Sequence, residues 1–244
     1  MTNERMLYLI NKAIGNLKDN EDFYGSTPVD FMRKNGIKST ENMSIFLDSV
    51  GAYLEELRCG ILGDIEADAA KKNGKSKVLS NVKKFGKLCA KHRDIKPRLG
   101  WANYDETYNK YVLLDGCAML IADNSDGMEL CPERVVKDTT MFAWKKCVPD
   151  TYGYKKQTLP SVGKIAAYRK EAKAKAGKSK EWDKLYFADF GIKGEYLEIF
   201  MNITGATEIL YKDNCHAMYM SGNGYEAVIM PIKKKPETEP TVFE

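Results

Sequence analysis

The chain is short of the residues that most chemistry needs. Its 244 residues include two histidines, His92 and His216, and three tryptophans. Six cysteines (Cys59, Cys89, Cys117, Cys131, Cys147 and Cys215) form no CxxC pair. A structural zinc site draws on His and Cys at ligand spacing, so neither a metal nor a cofactor is expected. The scattered cysteines fit reduced thiols better than a disulfide framework. The N-terminus, MTNERMLYLINKAIGNLKD, lacks the basic region, apolar core and small-residue cleavage site of a secretion signal. No apolar run reaches the roughly 20 residues that span a bilayer. These absences predict a cytoplasmic protein with no membrane contact.

Catalytic motifs are equally scarce. Gly74-Lys75-Ser76 and Gly177-Lys178-Ser179 suggest phosphate loops, which need a glycine five residues earlier. Ala69 and Ala172 stand there instead. A thiol nucleophile needs an imidazole to take its proton, which leaves Cys89 with His92 or Cys215 with His216. Neighbours on a strand face opposite ways, and the apolar stripe around Cys89 places that thiol in the core. Asp115, Asp123, Asp126 and Asp213 fall at predicted turns, where turn formation explains them. No catalytic residue is assigned, and a hydrolase reading would need a Cys/His/carboxylate pocket.

Charge is present and segregated. Residues 1–70 carry 7 Lys and Arg against 12 Asp and Glu; residues 71–100 carry 11 against 1. A second basic island, Lys164–Lys184, holds 8 basic and 3 acidic residues. Such islands suit either solvated helix faces or a polyanion-binding surface.

Hydrophobic periodicity predicts helices over Asn3–Lys18, from Thr27 to Gly36, and from Ser39 towards Ala70. Gly51, Gly60 and Gly63 predict a break in the third near Gly60. Lys71–Lys77 reads as an exposed connector. Val78, Val82, Phe85 and Cys89 then mark an amphipathic helix ending near His92, with Lys83, Lys84, Lys87 and Lys91 on its other faces.

From Arg98 the period falls to two. Leu99–Tyr104, Lys110–Leu114 and Ala118–Ala122 read as strands, with a further strand over Met128–Val136 interrupted by Pro132. Trp101, Tyr104, Tyr108 and Tyr111 suit packing on half-buried strands. Helices follow at Val162–Ala176 and Lys193–Thr204, with a short strand, Lys184–Phe190, between them. Thr207–Tyr211, Ala217–Met220 and Tyr225–Ile232 close the chain as strands joined by Asp213-Asn214 and Gly222-Asn223-Gly224 turns. The expected fold class is α+β. An antiparallel sheet carries helices on one face, over residues 77–235. A helical region (1–72) precedes it and a flexible tail (236–244) follows.

This ordering resembles one repeat of the DNA sliding clamp, as in the bacterial DNA polymerase III beta subunit. Asp115-Gly116 followed by Ala118–Ile121 is similar to the clamp's aspartate-glycine turn, and Leu159-Pro160-Ser161-Val162 to its proline-containing connector. Tyr225–Ile232 resembles its last strand, which ends in Met-Pro. The resemblance implies a non-enzymatic role in DNA replication, with basic helices facing the phosphate backbone of double-stranded DNA. Lys83, Lys84, Lys87, Lys91, Arg93, Lys173, Lys175 and Lys178 would then be the nucleic-acid contacts. The chain departs from the pattern in Glu195 and Glu198 on the second helix, in its acidic N-terminal region, and in holding one repeat where a ring needs six. The alternative reading is a protein-interaction or assembly module, self-associating or binding another protein, without a DNA role.

Overall fold

Val82, Phe85 and Cys89 recur at the spacing that gives a helix one apolar face, and all three are buried in α2 (Ser76–Ala90). The computed structural model describes residues 3, 5–8, 10, 11, 40–91, 102–105, 107–123, 135, 136, 143–176 and 181–233. The helix expected from Thr27 to Gly36, the tail, and residues Trp101, Asp126, His92, Arg93 and Lys178 lie outside them.

The chain divides into two compact units, Met1–Ala69 with Cys131–Glu133, and Ala70–Leu130 with Arg134–Glu244. Most of α1 (Thr40–Lys72), a single helix of 33 residues, lies in the first, and its last turn enters the second. It runs through Gly60, where a break was expected. Burial of the next two residues, Ile61 and Leu62, outweighs the roughly 1 kcal/mol that glycine costs in a helix. Ile10 and Ile61 form a small core with Met6, Leu7, Leu54 and Ile65 around them. The expected connector shrinks to Asn73–Lys75, because α1 extends to Lys72 and α2 begins at Ser76.

The second unit is built on an eight-stranded sheet. Its strands are β1 (Ala102–Asp105), β2 (Lys110–Leu114), β3 (Ala118–Asp123), β4 (Val135–Val136), β5 (Lys155–Thr158), β8 (Glu208–Tyr211), β9 (Met218–Gly222) and β10 (Tyr225–Ile229). They run in the order β4-β1-β2-β3-β10-β9-β8-β5. Neighbours are antiparallel except β1 and β4, which pair in parallel through Ala102 and Val135. A separate hairpin, β6 (Lys184–Tyr186) with β7 (Gly191–Lys193), leads into α4 (Gly194–Thr204). The remaining helix is α3 (Val162–Lys175).

The sheet order places two like units back to back. One is α2 followed by β1, β2 and β3; the other is α4 followed by β8, β9 and β10. They meet where β3 pairs with β10, from Ala122 opposite Tyr225 to Ala118 opposite Ile229. On one face of the sheet, α2, α3 and α4 close a single core. Phe85, Ile165, Leu197 and Phe200 pack there over Leu120, Ile209, Met220 and Ala227. Alternate residues point the other way, and Val112, Met119, Ile121 and Val228 are covered by Trp144. Trp144 is held by its indole N–H, which donates to Asp105 Oδ2 at 2.7 Å.

Met-Pro-Ile, directly after β10, ties the sheet to the β6–β7 hairpin. Met230 N donates to Cys117 O and Ile232 N to Gly191 O, both at 2.8 Å. Among the described residues, no helix is long and apolar enough to cross a membrane.

Candidate nucleic-acid interface

Burying Val82, Phe85, Leu88 and Cys89, with Val78 packed beside them, turns the opposite side of α2 to water. Lys77, Lys83, Lys84, Lys87 and Lys91 are all exposed. Lys77, Lys84, Lys87 and Lys91 recur at seven, three and four residues, so they form one stripe. At about 1.5 Å per residue it runs roughly 21 Å. Among the described residues, no carboxylate lies within ion-pairing distance of these four lysines. Lys77 was not among the expected contacts, although its heptad spacing from Lys84 was readable in the sequence.

Helix α3 starts at Ser161, whose hydroxyl accepts from Lys164 N at 3.3 Å. Ile165 is its one fully buried side chain, with Val162 and Tyr168 packed beside it. Lys164, Lys170, Lys173 and Lys175 are exposed. Lys173 lies 5.7 Å from the Trp182 ring. Lys175 pairs with Glu171 at 2.6 Å, which raises the lysine and lowers the carboxylate. That pair is fully exposed, and such pairs contribute little to stability.

Helix α4 contributes no free positive charge. Its outward carboxylates are Glu195, 3.5 Å from Lys193, and Glu198, which pairs with Arg169 of α3. Nearly every other side chain of α4 is buried. The positive surface therefore comes from α2 and α3, both packed against α4.

The residues considered for catalysis have structural partners. Cys89 is buried, and desolvation together with the nearby Asp115 carboxylate pushes its thiol far above the usual range. Asp115 accepts from Cys117 N and Ala118 N at 2.9 and 2.8 Å, and from the Tyr196 hydroxyl. Burial and that bond push Tyr196 well above the ordinary phenol range. Asp213 accepts from Cys215 N and His216 N at 2.7 and 2.9 Å, and lies 2.7 Å from His216 Nδ1. The His216 contact, with those amides, takes the Asp213 carboxyl down to about 2. Cys215 Sγ contacts Asn214 Oδ1 at 3.2 Å. Among the described residues, no group of three or more His, Cys, Asp and Glu side chains could hold a metal ion. Gly74-Lys75-Ser76 joins two helices, so it lacks the strand a phosphate loop requires.

On the opposite face, Lys110 bridges Asp123 at 2.8 Å and Glu226 at 2.9 Å, and the Tyr219 hydroxyl donates to Glu226 at 3.0 Å. A shallow groove of about 360 Å³ lies nearby, lined by residues that include Lys156, Leu210 and Tyr219.

The architecture is α+β, an antiparallel sheet with helices on one face. Solved structures with a distant likeness to it include DNA polymerase III beta sliding clamps. The sliding clamp of Bartonella birtlesii is 11% identical, covering 58% of this chain and 60% of that one, at TM-score 0.39. A clamp of Pseudomonas aeruginosa is 11% identical, covering 62% and 64%, at TM-score 0.34. The beta subunit of Borrelia burgdorferi is 11% identical, covering 55% of each chain, at TM-score 0.36. The match thus spans less than two thirds of each of those chains. No protein-family model matches, and no curated protein does.

Proposed function

We propose that the protein binds double-stranded DNA without enzymatic chemistry, through contacts between the α2 lysines and the phosphate backbone. The carrying observation is the stripe of Lys77, Lys84, Lys87 and Lys91, exposed along one helix and without carboxylate partners among the described residues. Charges that no neighbour neutralises keep their full attraction for a polyanion. Lys83 flanks the stripe, and Lys173 is a further exposed lysine on α3. Arg93 and Lys178 are proposed contacts by their place in the two basic islands; Lys175 shares its charge with Glu171.

Phosphate contacts carry little sequence information, so binding is expected to tolerate any duplex sequence and to weaken steeply with salt. Four such contacts give log affinity against log salt a slope of about −3.6. Fluorescence anisotropy with two unrelated duplexes across a salt series tests this. Equal affinity for both, with a slope at least that steep, supports the reading. No binding at low salt removes it.

A further inference from the structure

We infer that α3 supplies a second phosphate-binding face through Lys164 and Lys170, and that Arg169 is the positioning residue that makes this face possible. The inference rests on the DNA reading above and extends it to residues outside the α2 stripe. An α3 helix with one fully buried side chain has little apolar surface to hold it in place. Arg169 adds the missing attachment. Its Nε donates to Asp183 Oδ1 at 2.5 Å and its Nη1 donates to Glu198 of α4. The three side chains are 13%, 12% and 20% exposed, so the network is largely out of water.

Gly194 makes room for this crossing. A Cβ there would stand 2.9 Å from Arg169 Cδ and 3.0 Å from Asp183 Oδ1. Asp183 also accepts from Glu195 N at 3.2 Å, which caps the first turn of α4 from outside, since Lys193 offers no side-chain cap.

The consequence is electrostatic. α4 turns Glu198 towards α3, where an unpaired carboxylate would repel a phosphate backbone. Arg169 pairs with Glu198 and Asp183 and offsets one of their two negative charges, which lowers the repulsion that Lys164 and Lys170 must overcome. Among the described residues, Lys164 and Lys170 have no carboxylate within ion-pairing distance. The basic island at 164–184 thus works as two parts, one arginine turned inward and exposed lysines turned outward.

The test is duplex binding by anisotropy across a salt series, on the full chain at 10 °C. K164Q/K170Q is expected to make the slope shallower by about 1.8, at roughly 0.9 per contact. R169Q and K170Q each remove one charge, yet R169Q is expected to bind more weakly than K170Q, because it unmasks two carboxylates. Adding E198Q to R169Q should recover binding towards the K170Q level, and circular dichroism showing R169Q as folded as wild type at 10 °C separates that charge effect from a structural rescue. Lys164 and Lys170 are exposed, so K164Q/K170Q stays informative even where R169Q fails to fold. Wild-type binding that K84Q/K87Q weakens while K164Q/K170Q leaves the slope unchanged would overturn this inference and spare the α2 reading. Equal binding by R169Q and K170Q would overturn the positioning role. Absence of wild-type binding at low salt would remove the DNA reading itself.

Discussion

The Tyr196 hydroxyl donates to Asp115 Oδ2, joining helix α4 to the β2–β3 turn across 81 residues of sequence. Asp115 is 4% exposed and Tyr196 6%. The carboxylate also takes two backbone N–H groups of its own turn, so one side chain shapes the hairpin and anchors the helix above it. Tyr196→Phe keeps the ring and removes the donor to a charged acceptor. A loss of about 1.5–3 kcal/mol in unfolding free energy is expected, read from urea denaturation by circular dichroism.

Phe85 joins the two halves of the helix layer. It is fully buried, with its ring centroid 4.8 Å from Phe200 and 6.3 Å from Tyr196, edge-on to both. Phe85→Ala is expected to cost about 3–5 kcal/mol. A loss under about 1 kcal/mol on chemical denaturation would mean that α2 does not dock on α4 as described.

Gly222 ends β9 directly against the C-terminus of α4. A Cβ at that position would stand 2.3 Å from Thr204 O, a backbone atom that cannot swing aside. Gly222→Ala should therefore destabilise the unit by about 1–3 kcal/mol, the usual cost of forcing extra atoms into a packed site. Thermal denaturation checks it against Gly153→Ala, where a Cβ meets nothing within 4 Å though its φ of 75° still carries strain.

Tyr211 gives a pH signature. Burial, then its 2.8 Å bond to Asp189 Oδ2, pushes the phenol up to about 12. A raised phenol value means that folding favours the protonated form. The stabilisation is complete below the unfolded value of about 10 and disappears as pH climbs to about 12. Urea midpoints measured from pH 9 to 12 should fall, and Tyr211→Phe should flatten part of that fall.

Much of this fold was legible from residue spacing. Lys110–Leu114 matches β2 residue for residue, and the stripe through Val82, Phe85 and Cys89 identified the buried face of α2. The α+β class also follows from the order of periodicities, and the sheet with helices on one face was expected from the clamp resemblance. What escaped depended on partners distant in sequence. β5 reads KKQT and has no apolar alternation; it is a strand because β8 pairs with it, from Lys155 opposite Tyr211 to Thr158 opposite Glu208. The repeat of helix and three strands is hidden for a similar reason. α2 is amphipathic with an open lysine face, whereas α4 is buried almost all round, so their sequences share no pattern.

The candidate interface was legible in part. Lys84, Lys87 and Lys91 stand exposed where amphipathicity placed them. Composition counted Arg169 with the other basic residues of its island, because nothing local reveals that Asp183 and Glu198 turn it inward. The same blindness applied to Glu198, which looked like a defect in a basic face until its partner was seen.

The most direct measurement is the salt dependence of duplex binding by the full chain, beside a variant with Lys84, Lys87 and Lys91 changed to Gln. The wild type should bind with a slope of at least about −3.6, and the variant's slope should be shallower by about 2.7, at roughly 0.9 per lost contact. Identical slopes for the two proteins would contradict a phosphate-binding role for α2.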